Sequence, residues 1–134
     1  YYDNIVEMVH TQNPDILGHL DLVRKFNRDG KYFDENADWY IRKIDYVLDE
    51  IAKTDTIIEI NTGGMSRGWT DTPYPSIPIL KKILDRNIPI TISSDVHSVE
   101  NIDFYFKESI DMIKEIGFVK VKILKDGKFQ DFEI

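Results

Sequence analysis

Short apolar runs suited to strands alternate with amphipathic stretches suited to helices along all 134 residues, which predicts an α/β fold of about three parallel βα units followed by a C-terminal β-hairpin. Two further observations support it. Apolar residues in the longer stretches recur at three- and four-residue steps, as on one face of a helix. The pair Asp126-Gly127 stands between two strand-like runs, where it would supply a tight hairpin turn. A composition of 42% hydrophobic and 12% aromatic residues is enough for a core and argues against disorder, so residues 1–134 are expected to form a single domain or part of one.

The chain opens without Met and within a helical pattern carried by Ile5, Val6 and Val9, so a preceding N-terminal portion is expected. Asn13-Pro14 breaks this pattern. Residues 15–22 read as a short buried strand running into a loop, with His19 near its end. Residues 23–36, rich in Lys, Arg, Asp and Asn, read as a solvated loop. Over 37–52, Trp39, Tyr40, Ile44, Val47, Leu48 and Ile51 mark an amphipathic helix, and 56–61 read as a buried strand. Gly63, Gly64, Gly68, Pro73 and Pro75 make 62–76 a long loop, of the kind that often carries function. A short helix over 76–86 and a strand over 88–93 follow, the strand running into Ser94-Asp95-Val96-His97. Residues 99–116 predict a helix with Ile102, Phe106, Ile110 and Ile113 on one face. Residues 119–124 and 129–134 are the hairpin strands, whose Lys and Asp side chains read as a solvated, edge-protecting surface.

A formal net charge of -7 and a pI of about 4.9 give no basic footprint for a phosphate backbone, so nucleic acid is not expected as a partner. There is no cysteine, which leaves nitrogen and oxygen ligands from His, Asp and Glu for any metal and accords with a cytoplasmic protein. No apolar run approaches the roughly 20 residues that span a bilayer, so no membrane association is expected.

His19, Glu59 with Asn61, and Asp95 with His97 all fall at predicted strand ends, where α/β folds gather their sites. Asp95-Val96-His97 offers a carboxylate and an imidazole suited to Zn, Mn or Fe, although the same pair alone could be an ordinary surface loop. His19, after the permissive Gly18, would add a second imidazole. His10, on the opening helix, reads as non-ligating. Arg67 is the one cation of the Gly-rich loop, and its planar guanidinium suits bidentate binding of phosphate; a solvated loop arginine is the alternative. Glu59 and Asn61 share one face of their strand, and a buried carboxylate there needs a partner, either a metal-bound His or a substrate amine.

Three segments resemble, in order, the later motifs of PHP-type (polymerase and histidinol phosphatase) histidinol-phosphatases: Asp15-Ile16-Leu17-Gly18-His19-Leu20-Asp21, Glu59-Ile60-Asn61-Thr62-Gly63-Gly64-Met65-Ser66-Arg67-Gly68 with Pro73-Tyr74-Pro75-Ser76, and Ser93-Ser94-Asp95-Val96-His97. The resemblance implies the C-terminal part of a distorted (β/α)7 barrel. It implies a centre of up to three divalent ions (Zn, Mn or Fe) and hydrolysis of L-histidinol phosphate to L-histidinol and phosphate in histidine biosynthesis. His19, Asp95 and His97 would be metal ligands, with Asp95 and His97 at the catalytic centre. Arg67 would clamp the phosphate, and Asn61 and Glu59 would lie on the substrate side.

The N-terminal His-x-His pair and the bridging Glu of such enzymes have no counterpart here, and Glu59 belongs to the later Asn-Thr motif. The chain is therefore expected to supply part of the site and to be inactive alone. Two rivals stand beside this expectation: another PHP phosphoesterase, and a non-catalytic barrel remnant that self-associates through an exposed barrel edge.

Overall fold

Ile58-Glu59-Ile60-Asn61, after Ile57, and Ile90-Thr91-Ile92-Ser93 alternate apolar with polar residues, and this period of two decides how the sheet is built. In the computed structural model, which describes residues 1–134, these segments are strands β2 (Ile57–Asn61) and β3 (Ile90–Ser93). They pair in parallel, with Ile58 opposite Ile90, Glu59 opposite Thr91, Ile60 opposite Ile92 and Asn61 opposite Ser93. Strand β1 (Ile16–Leu17) pairs in parallel on the other side of β2, giving the order β1-β2-β3. One face of this sheet is therefore apolar, presenting Leu17, Ile58, Ile60, Ile90 and Ile92. The opposite face carries Glu59, Asn61, Thr91 and Ser93.

Helices cover the apolar face. Helix α1 (Tyr2–Gln12) buries Tyr2, Ile5 and Val9 and ends at Asn13, which takes the left-handed conformation common after a helix, with Pro14 next. Helix α2 (Asp38–Ile51) buries Tyr40, Ile44, Val47, Leu48 and Ile51. Trp39, assigned to that stripe from the sequence, instead stands 54% exposed, edge-on to Phe33 and Tyr40. After a one-turn helix α3 (Gly63–Ser66), helix α4 (Ile77–Asp85) starts with proline in its first turn and buries Ile79, Leu80 and Ile83. Helix α5 (Phe106–Ile116) buries Ser109 and Ile113 and stops at Gly117, φ 118. The apolar side chains among these join one core of 20 buried residues, each fully buried Ile or Leu contributing roughly 1.5–3 kcal/mol.

Strands β4 (Lys120–Lys125) and β5 (Lys128–Glu133) form the expected antiparallel hairpin, with Asp126 and Gly127 at φ 52 and 75 in its turn. Asp131 takes ion pairs from Lys120 and Lys122 on this surface. Val121 and Phe118 tie the hairpin to the core. No helix is long and apolar enough to cross a membrane.

Three expectations need correction. The helix predicted over 99–116 begins only at Phe106. Ser94 and Thr62 donate their hydroxyls to the carbonyls of Ile102 and Phe104, and Tyr105 turns to φ 62, so the helical ladder cannot start earlier. Ile102 is accordingly 65% exposed. Residues 23–36 are no plain solvated loop but two short 3-10 turns wrapped around buried Asn27. Its side chain donates to the Phe33 carbonyl and Glu35 and accepts from the N–H groups of Tyr32 and Phe33. The loop over 62–76 contains α3 and returns to the sheet through an antiparallel bridge between Asn61 and Tyr74.

Candidate functional site

The polar face of the sheet and the turns beyond its C-terminal edge bring the candidate residues together. After β1 the chain turns at His19, φ 30, which shortens the expected strand to Ile16–Leu17. The His19 N–H donates to Glu59 Oε2 at 2.9 Å, and the Asn61 amide donates to the same oxygen at 2.9 Å. The Ser93 hydroxyl donates to Glu59 Oε1. The partner of Glu59 is thus the backbone of His19, with Asn61 and Ser93 beside it. Asn61 is occupied at both ends, because its Oδ1 accepts the Gly63 N–H at 2.9 Å.

Arg67, just past α3, reaches back to the turn after β3. One Nη donates to the Asp95 carbonyl at 2.9 Å and the other to Asp95 Oδ2 at 3.1 Å. Its guanidinium lies 4.5 Å from the ring centroid of Trp69, over which Lys25 Nζ also sits at 3.4 Å. Burial opposes ionisation of Asp95. Hydrogen bonds from Arg67 and Asn61, the Arg67 charge and the nearby His19 outweigh it, so the carboxyl lies below the usual range. His97 extends into solvent, with Nε2 3.9 Å from Asp95 Oδ1.

The structure therefore brings His19, Glu59, Asn61, Arg67 and Asp95 to one end of the sheet and leaves His97 at the rim. No three His, Asp or Glu side chains converge closely enough to hold a metal ion. His10, away from this end, pairs with Glu50 of α2 at 2.9 Å.

Asp21 is a supporting residue that pattern reading passed over, although it stands in the Gly-His motif. It is fully buried, and its Oδ2 accepts from the Ser76 N–H at 3.0 Å and from Arg24 at 3.2 Å. It thereby ties the turn after His19 to the far end of the 62–76 segment. Burial pushes its carboxyl up, against the pull of Arg24 and the Ser76 N–H. Only its position two residues beyond His19 could have signalled this.

No protein-family model matches the chain. Among curated proteins it is similar to a probable histidinol-phosphatase of Deinococcus radiodurans, 26% identical over 103 residues that cover 77% of this chain and 36% of that protein. It is also similar to a histidinol-phosphatase of Bacillus subtilis, 24% identical over 107 residues, covering 79% of this chain and 39% of that protein. The chain matches less than two-fifths of the length of either relative.

Proposed function

We propose that this chain supplies one side of the active site of a PHP-type phosphomonoester hydrolase that converts L-histidinol phosphate to L-histidinol and phosphate in cytoplasmic histidine biosynthesis. The observation that carries this reading is the Arg67–Asp95 pair at the C-terminal edge of parallel strands, in a chain similar over most of its length to two histidinol-phosphatases. The complete domain is proposed as a distorted (β/α)7 barrel.

The substrate carries a phosphate monoester, and a guanidinium matches two of its oxygens in one plane. With ester present, phosphoryl oxygens take the place of Asp95 on Arg67, and Arg67 steadies the charge that builds on the phosphoryl group. Divalent Zn, Mn or Fe, up to three ions, is the proposed cofactor. His19, Asp95 and His97 are the donors this chain offers, and the remaining ligands would come from outside these 134 residues. Asn61 and Glu59 line the same end, on the substrate side.

The test is phosphatase activity on L-histidinol phosphate with added Mn or Zn. The chain alone is compared with the chain joined to the remaining portion of a curated relative. Turnover in the joined protein and none in the chain alone is the expected result, and Arg67→Ala in the joined protein is expected to lower kcat by roughly 10²-fold. Turnover in neither sinks the reading, and turnover on other phosphate esters but not this one points to a different PHP phosphoesterase. A second reading, a non-catalytic module that pairs with a second copy, is favoured by the free outer edge of β1, where Ile16 is 40% exposed.

A further inference from the structure

We infer that Glu59 is a positioning residue: its carboxylate fastens the backbone of His19, at the end of β1, to Asn61 on β2 and Ser93 on β3, and so sets the direction of the His19 imidazole. The three donors come from the turn after β1, from β2 and from β3, and meet on one side chain of the central strand. Both carboxylate oxygens are occupied from within the chain, so Glu59 needs neither a metal nor a substrate amine to be satisfied.

Two local features of the sequence fit this role. Gly18 packs directly on the carboxylate, since a Cβ there would stand 3.2 Å from Glu59 Oε2. A side chain at that position would press against the hydrogen bond to His19. His19 itself has φ 30, a backbone conformation that residues with a Cβ rarely adopt, and its N–H is the group that Glu59 holds. Gly18-His19, Glu59-x-Asn61 and Ser93 are thus parts of a single device, although they lie far apart in the chain. The place of His19 in phosphate-ester chemistry rests on the function proposed above; its attachment to Glu59 does not.

The experiment is solution NMR of the labelled 134-residue chain as wild type, Glu59→Ala, Glu59→Gln and Gly18→Ala. It reads three quantities: hydrogen exchange of the His19 amide, the His19 coupling constant that reports φ, and the order of its imidazole. In Glu59→Ala the His19 amide is expected to exchange at least about tenfold faster and the coupling to leave its positive-φ value, while amides of the β2–β3 ladder keep their protection. Glu59→Gln should rescue His19, because its amide oxygen can accept from His19 and Asn61 while the Ser93 hydroxyl turns to accept from the new NH2.

Unchanged His19 exchange and coupling in Glu59→Ala overturn the inference, as does a Glu59→Gln variant that behaves like Glu59→Ala. Should Glu59→Ala fail to fold, Gly18→Ala decides. Loss of His19 protection with an intact ladder supports the device, and unchanged protection rejects it. Turnover does not enter these readouts, so a joined protein that hydrolysed nothing would count against the proposed function and leave the positioning result standing.

Discussion

At the scale of single residues, the site is packed tightly enough for glycines to act as spacers. A Cβ on Gly63 would stand 2.8 Å from an Arg67 Nη atom and 2.9 Å from each of the Asp95 and Ser94 carbonyl oxygens. Two of those neighbours are backbone and cannot swing away. Gly63→Ala is therefore expected to destabilise the chain by about 1–3 kcal/mol through overpacking and to pull Arg67 off Asp95. Urea unfolding gives the first quantity, and the Arg67 side-chain NMR signals report the second. Gly68 is a useful contrast: a Cβ there meets nothing within 4 Å, but its φ is +67. Gly68→Ala should cost about 1 kcal/mol from backbone conformation and leave the Arg67–Asp95 pair in place. Equal effects from both substitutions on that pair would show that crowding at Gly63 is not what holds Arg67.

At the scale of elements, helices α2 and α4 are joined by an ion-pair network. Lys82 and Arg86 both reach Asp45, and Arg86 also reaches Asp49. Burial raises the cost of ionising Asp45, but the bonds and charges of Lys82 and Arg86 outweigh it and hold its carboxyl below the ordinary value. A depressed carboxyl stabilises the fold above the unfolded-state pKa of about 3.9 and loses that contribution as pH falls through the lower folded value. Asp45→Asn should therefore be less stable than wild type at neutral pH by no more than about 1 kcal/mol, since the pair is partly exposed. The difference should shrink in acid, as pH falls from neutral through that lower folded value. Urea midpoints at neutral and acid pH check this, and a gap that persists undiminished in acid would mean that the side chain acts through packing instead.

Elements governed by local pattern were readable in the sequence. The Ile-Glu-Ile-Asn and Ile-Thr-Ile-Ser alternations carry the two-faced sheet, and Asp126-Gly127 carries the hairpin. The start of α5 was not, because Ser94 and Thr62 divert the carbonyls of Ile102 and Phe104 from another part of the chain. Nor was the order around Asn27, or the capture of Glu59 by a backbone N–H 40 residues away. In the candidate site, the gathering of His19, Glu59, Asn61 and Asp95 followed from strand ends alone. The pairing of Arg67 with Asp95 spans 28 residues and has no local signal.

At the scale of the whole molecule, the parallel sheet ends at β1, whose outer edge has no partner strand. Ile16 on that strand is 40% exposed, and an exposed apolar edge is a template for strand pairing. A net charge of -7 works against the approach of two copies, and that repulsion is screened by salt while edge pairing and apolar burial are not. Self-association is therefore expected to be weak at about 0.15 M salt and stronger near about 1 M. Sedimentation equilibrium at the two salt concentrations should show the average mass rising with salt. Ile16→Lys should hold the chain at monomer mass in both, because a charge on the edge strand opposes pairing. A wild-type chain that stays monomeric throughout would remove the second reading. Association that survives Ile16→Lys would move the contact to another surface, with exposed Trp39 the first residue to substitute.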